Sequence, residues 1–266
     1  MSKKLHKLLI YNILKHPLLW FGLLSCFISC KKAPPPLRIA TAANMQYVMP
    51  ELTAAFTQQT GITCETIFSS SGKLTAQIQA GAPYDVFVSA DMKYPELLFK
   101  KELTTAPVQV YALGKLVLWT TQADLPLDLV TLTLPQIKHI AIANPQTAPY
   151  GKAALEVLQR SNVIDFVQSK IVFGESVAQT NQFITTGAAE IGFTAQSVVL
   201  APHLQDRGQW ESVDPKYYQS IAQGVCVLKN SKKLVEAEQF AAFLLNNTAS
   251  EILHTFGYNS PSQSTN

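Results

Sequence analysis

This 266-residue sequence predicts an α/β fold with largely parallel sheets, and two features carry the expectation. Short β-branched runs alternate with stretches whose apolar residues recur at three- and four-residue steps, an order of elements that packs helices against a parallel sheet. In addition, Gly61, Gly81, Gly187 and Gly257 stand just past the helical stretches, where a left-handed residue commonly ends a helix.

In chain order, strands are expected at Leu37–Ala42, Ile62–Phe68, Tyr84–Ser89, Leu116–Thr120, His139–Ala143, Lys170–Phe173, Glu190–Thr194 and Ile221–Leu228. The helical spacing is plainest in Gly72–Ala80, through Leu74 and Ile78, and in Gly151–Arg160, through Ala154, Leu155 and Leu158. Pro50 falls inside the first helical stretch and should kink it or delay its regular part. From Leu37 onward there is no internal repeat and no low-complexity region. That length suits one large domain or two lobes, and composition does not choose between them.

The first 29 residues read as an export leader. Lys3, Lys4, Lys7 and Lys15 make a basic start, and no acid precedes Glu51. The apolar run from Leu18 to Ser29 is too short to span a bilayer comfortably as a helix and suits a signal-peptide core. Lys31, Lys32 and three prolines, Pro34 to Pro36, follow at once, which weighs against a single membrane anchor. Ser25-Cys26 and Ser29-Cys30 both resemble the bacterial lipoprotein processing site. Cys30, directly before the hydrophilic spacer, is the expected lipidation site, with Cys26 and cleavage without a lipid as alternatives. Residues 30–36 would then be a lipidated tether.

Removing the four leader lysines takes the formal charge from +3 to −1. With no basic stripe and no interleaved aromatics, no nucleic-acid partner is expected. Cys64 and Cys226 lie in apolar, strand-like stretches and are expected as buried free thiols, with one disulfide between them as the alternative in an exported protein. There is no CxxC pair, and His139, His203 and His254 have no metal-ligand spacing. Neither a metal site nor a cofactor is expected.

The informative polar residues sit at strand ends. In a parallel sheet, ligands bind beyond the carboxyl ends of the strands, and helix N-termini offer unpaired N–H groups to anions. Three strand-to-helix junctions carry uncharged donors: Ala40-Thr41-Ala42-Ala43-Asn44, Phe68-Ser69-Ser70-Ser71-Gly72-Lys73 and Asn144 through Tyr150-Gly151. Singly, Asn44 and Ser71 read as helix N-caps and Tyr150 as a packed aromatic; together the three junctions suggest a shared oxyanion site. Catalytic motifs fail. Ser71-Gly72-Lys73 lacks the glycine of a phosphate loop five positions earlier, and Gly174-Glu175-Ser176-Val177-Ala178 lacks the last glycine of a nucleophile elbow. Asp85 reads as fixing a turn, not as pairing with Asp91. No nucleophile–base pair can be assembled, so the chain is not expected to be an enzyme.

At these junctions the sequence resembles the periplasmic molybdate-binding proteins of ABC importers over nearly all of Leu37 to Tyr258. The resemblance rests on Ser70-Ser71-Gly72-Lys73-Leu74, on Gln77-Ile78-Gln79-Ala80-Gly81-Ala82-Pro83 and on Asp85 through Ser89-Ala90-Asp91. It extends to Pro149-Tyr150-Gly151-Lys152-Ala153-Ala154 and to the close from Phe243-Leu244-Leu245 to Phe256-Gly257-Tyr258.

The resemblance implies a two-lobed periplasmic binding protein-like fold, with mixed sheets flanked by helices and a hinge of two crossover strands. Residues 37–114 and 229–260 would form lobe 1, and residues 115–228 lobe 2. On that reading Cys64 and Cys226 fall in different parts of the protein. The implied ligand-binding residues are Asn44, Ser71, Tyr150, the Val177 backbone N–H and, more weakly, the Ala43 backbone. Ala195 departs from members that carry a ligand tyrosine there, and Asn44 with Tyr150 fits the other branch. The implied function is binding of molybdate or tungstate and delivery to an ABC importer permease, by a monomer held at the periplasmic face of a membrane through its N-terminal lipid. Sulfate or thiosulfate is the alternative solute; a carboxylate would want an arginine, and Arg38, Arg160 and Arg207 all lie away from the junctions.

Overall fold

The computed structural model describes residues 34–261. The expected leader, the lipidation site at Cys30 and its alternative Cys26 lie outside the described residues. Among the described residues no helix is long and apolar enough to cross a membrane, and no cluster of His, Cys, Asp or Glu could hold a metal ion.

The elements from the N-terminal side are β1 (Leu37–Ala42), a single 3-10 turn (Ala43–Met45), α1 (Met49–Thr60), β2 (Cys64–Ser69), α2 (Ser71–Gln79), β3 (Val86–Val88), α3 (Lys93–Lys100) and β4 (Gln109–Gly114). There follow β5 (Leu116–Thr120), β6 (Ile140–Ala143), α4 (Pro149–Arg160), α5 (Ile164–Val167), β7 (Ile171–Gly174), α6 (Val177–Thr185), β8 (Ile191–Ala195), α7 (Gln196–Val199) and β9 (Gln209–Ser212). The chain closes with β10 (Ile221–Val227), α8 (Leu234–Leu244) and α9 (Asn247–Thr255). Pro50 sits in the first turn of α1, where its missing N–H is harmless. It delays the helix as expected, and the 3-10 turn occupies the gap. The four glycines expected past helix ends all have positive φ, from 72° to 87°.

Two five-stranded sheets result, in the orders β2-β1-β3-β10-β4 and β7-β6-β8-β5-β9. Both are mixed. β1 pairs parallel with β2 and β3, and β6 parallel with β7 and β8, while β10 and β5 run antiparallel to both of their neighbours. Parallelism is therefore confined to half of each sheet. The sequence reading groups Ile221–Val227 with the second lobe; β10 pairs instead in the first sheet, between β3 and β4. The chain passes between sheets twice, at Lys115 and over residues 213–220.

Alternation along the first sheet explains its two covered faces. Ile39, Val86 and Val88 face α1 and α8, where Phe56 meets Phe240 edge-on at 5.1 Å between ring centroids. Ala40 and Phe87 face the opposite way, against Leu74 and Ile78 of α2 and Leu98 of α3. Asp85 ties the strands together: its carboxylate accepts from the Arg38 backbone N–H at 2.8 Å and from Ser231 Oγ at 2.6 Å. Asp91 instead holds Ser89 and the Tyr94 N–H, so the two acids serve separate structural ends.

Cys64 and Cys226 are free and share the first sheet, contrary to the expectation that they fall in different parts of the protein. They lie on β2 and β10, three strand spacings apart across β1 and β3. At about 4.8 Å per spacing, that distance is beyond disulfide reach. Burial pushes the Cys64 thiol up to about 11 and the Cys226 thiol up to about 12. Below those values both stay protonated and unreactive. A thiol-reagent titration at about pH 8 is expected to label neither quickly in the native protein and both on denaturation; fast native labelling of Cys226 would contradict this packing.

Candidate functional site

Four junctions converge, two from each sheet, and each follows the carboxyl end of a parallel strand. β1 runs into the turn holding Ala43 and Asn44, β2 into α2 at Ser71, β6 into α4 at Pro149-Tyr150, and β7 into α6 at Val177. Contacts across the space between the sheets bring them together. The 3-10 turn packs on α6. The Gly72 N–H donates to the Thr147 carbonyl at 2.9 Å, and Tyr94 Oη donates to the Gln146 carbonyl at 2.8 Å. Lys73 of α2 pairs with Glu175, just before α6, at 2.7 Å.

Glycines permit this approach. A Cβ on Gly72 would stand 3.0 Å from both the Thr147 Cα and its carbonyl oxygen. A Cβ on Gly151 would overlap the Ala143 carbonyl, so only glycine lets the first turn of α4 settle on the end of β6. At the first crossover, a Cβ on Gly114 would overlap Tyr150 Oη.

Asn44, Ser71, Tyr150, Val177 and Ala43 are all buried, none more than 5 % exposed. The amide hydrogens of Ser71, Tyr150 and Val177 fall in first helical turns, where the helix itself cannot use them. Ser71 Oγ accepts from the Ala90 N–H at 3.0 Å. The serine oxygen is thus filled by a protein donor and its own hydrogen is left over. Tyr150 Oη likewise accepts from Gln223 Nε2 at 3.1 Å. Desolvation pushes the Tyr150 and Tyr111 phenols well above their ordinary range, and burial carries Tyr258 up to about 12. All three therefore remain neutral hydroxyls at physiological pH.

Asn44 is more constrained than a simple donor or N-cap. Its Nδ2 hydrogens go to Gln223 Oε1 at 3.0 Å and Tyr258 Oη at 2.9 Å, and its Oδ1 is buried with no donor. Two further orphaned oxygens, Ser70 Oγ and Thr147 Oγ1, are buried beside the α2 and α4 termini. The bland readings do not hold for two residues: Asn44 makes no capping bond, and Ser71 lies inside α2 while Ser70 occupies the N-cap without bonding there. Ala195 is fully buried at the end of β8 and brings no side-chain donor.

Among the described residues no hydrogen bond joins a cationic side chain to Asn44, Ser71 or Tyr150. Lys73 is spent on Glu175, Arg38 on Glu65 and the Pro83 carbonyl, and Arg160 on Glu156 and the Lys216 carbonyl. The arrangement presents buried, neutral hydrogens from helix ends and hydroxyls, which suits an anion whose oxygens only accept.

Sequence reading does not single out Gln223, Gly114 or Tyr258 as site residues. Gln223 lies in an ordinary strand pattern, and the irregular register between Gln223 and Gly224 that aims its side chain leaves no mark in composition.

A family model described as bacterial extracellular solute-binding protein matches residues 37–259. The chain is 36 % identical over 233 residues to a molybdate-binding protein of Azotobacter vinelandii, covering 87 % of this chain and 92 % of that one. It is also 36 % identical to a molybdate-binding protein of Rhodobacter capsulatus, covering 82 % and 86 %. The solved structure of the Azotobacter vinelandii periplasmic molybdate-binding protein superposes with a TM-score of 0.81 at 35 % identity, covering 85 % of this chain and 99 % of that one. These matches span the whole two-sheet unit and all four junctions: the chain belongs to the bacterial extracellular solute-binding protein family.

Proposed function

We propose that the chain binds molybdate, or tungstate, between two lobes and delivers it to the permease of an ABC importer, acting in transport and not as an enzyme. The observation that carries this reading is the meeting of four strand ends around buried, uncharged donors with no cation among them. In this reading lobe 1 is built on the first sheet, including β10, and lobe 2 on the second, with the two crossovers as the hinge. The protein is exported, anchored through a lipid on Cys30 and monomeric, and it carries no cofactor. Relatives that bind molybdate by name, together with the shared junction residues, support the choice of solute.

Burying an isolated ion in an apolar medium costs on the order of tens of kcal/mol, so the site must replace most of the lost water contacts. About six or seven hydrogen bonds to a charged oxyanion, at roughly 1.5–3 kcal/mol each, supply micromolar to nanomolar binding once association costs are met. The donors are Ser71 Oγ and its N–H, the N–H groups of Tyr150 and Val177, and Asn44, with the Ala43 backbone as a weaker contributor. Neutral donors select a fully deprotonated dianion, and the size of the oxygen cage separates molybdate and tungstate from sulfate.

Calorimetric titration is expected to give tight binding of molybdate and tungstate and much weaker binding of sulfate and phosphate; equal affinity for sulfate would overturn size selection. Ser71→Ala should weaken molybdate binding by about 10- to 100-fold. It should also lower the melting temperature by a few degrees, because the buried Ala90 N–H loses its acceptor.

Gly72→Ala inserts a methyl between α2 and the Thr147 backbone. It is expected to weaken binding and to raise the radius of gyration in solution scattering, with the far-ultraviolet dichroism unchanged.

Affinity should stay flat between about pH 6.5 and 9, because phenols raised above 10 by burial keep their protons throughout that window and lose them only above it. A steep change near neutrality, read by the same titration across pH, would mean that some other titrating group holds the anion.

A further inference from the structure

Gln223 is completely buried and stands at an irregular point of β10, just after the second crossover. Its Oε1 accepts from Asn44 Nδ2 at 3.0 Å and from Tyr111 Oη of β4 at 2.7 Å, and its Nε2 donates to Tyr150 Oη of α4 at 3.1 Å. One amide thus joins the turn after β1, the two first-sheet strands that flank the crossovers, and a helix flanking the other sheet. The same arrangement leaves Asn44 Oδ1 buried without a donor, an uncompensated polar group of the kind that native interiors rarely keep.

Rotating Asn44 alone by half a turn would set its carbonyl against that of Gln223 at the present 3.0 Å contact. Rotating both amides keeps the contacts of Gln223 with Asn44, Tyr111 and Tyr150 paired. Gln223 Nε2 then donates to Asn44 Oδ1 and Tyr111 Oη, Tyr150 Oη donates to Gln223 Oε1, and Tyr258 Oη turns its one hydrogen from Ser197 Oγ, 3.0 Å away, to Asn44 Oδ1. What is left over is no longer a carbonyl but the Asn44 NH2, a group that needs an acceptor.

We propose that Gln223 is a positioning residue for the oxyanion site, whose amide turns over together with that of Asn44 so that the ligand meets the Asn44 NH2 and not its carbonyl. The inference rests on the oxyanion reading above. It gives the hinge strand a direct hold on donor orientation in the site: the anion stabilises one setting of the amide pair.

The test compares Gln223→Glu and Gln223→Met by molybdate calorimetry, with melting temperatures to verify folding. A carboxylate only accepts, so it holds the Asn44 NH2 and leaves the carbonyl toward the ligand; Gln223→Glu should lose more than about 100-fold in affinity. Methionine imposes no orientation and frees Asn44 to turn, so Gln223→Met should lose only about tenfold. In protein carrying ¹⁵N-asparagine, molybdate should shift the Asn44 side-chain amide pair, assigned by its absence from Asn44→Asp, in wild type and Gln223→Met but not in Gln223→Glu. Gln223→Glu binding within about threefold of wild type, or Gln223→Met as weak as Gln223→Glu with both folded, would overturn the inference. A wild-type chain that binds none of the oxyanions overturns the proposed function itself and removes the ground on which the inference stands.

Discussion

An anion taken out of water without a buried positive charge beside it must be met by hydrogens. A hydroxyl can supply a hydrogen or an acceptor, and the surroundings decide which it offers. At Ser71 the Ala90 N–H occupies the oxygen, so the hydroxyl is left as a donor. The amide hydrogens at the starts of α2, α4 and α6 add to it, since no helix can use the N–H groups of its own first turn. Lys73, the cation beside Ser71 in sequence, pairs with Glu175 across the gap. The result is a donor surface whose protonation does not change near neutral pH.

That surface exists only because the helix termini come close. Parallel pairing of β1 with β2 and of β6 with β7 puts two strand ends per sheet on the same side. The antiparallel strands β4, β5, β9 and β10 then carry the chain between sheets. Absent side chains at Gly72, Gly114 and Gly151 remove the atoms that would hold the termini apart. The exposed Lys73–Glu175 pair spans the same gap, but solvent screening leaves such pairs worth about 0–1 kcal/mol. The close approach of the termini therefore rests on backbone fit more than on that ion pair.

Much of this architecture was legible before any coordinates, and its limits have physical causes. Leu116–Thr120 and the run from Leu37 are read to their final residue, because apolar strands buried along all or nearly all of their length announce themselves. β4 and β9 are missed: Gln109-Val-Tyr-Ala-Leu-Gly and Gln209-Trp-Glu-Ser are short, polar-edged strands whose identity comes from pairing and not from propensity. Both lie beside crossovers, so missing them also misassigns β10 to the second sheet. At the site, Asn44, Ser71 and Tyr150 stand out as polar residues at junctions. Gln223 does not, because the bulge that aims it is a property of the β10–β4 register, and Tyr258 is visible only as the end of a helical close.

A crystal structure of the protein with molybdate bound decides whether neutral donors alone hold the anion. The anion is expected between the sheets, with its oxygens at hydrogen-bonding distance from Ser71 Oγ, Asn44 Nδ2 and the helix-terminal amides of α4 and α6, and with every lysine and arginine at a remove. An anion clamped by a cationic side chain, or seated away from Asn44 and Ser71, would contradict it.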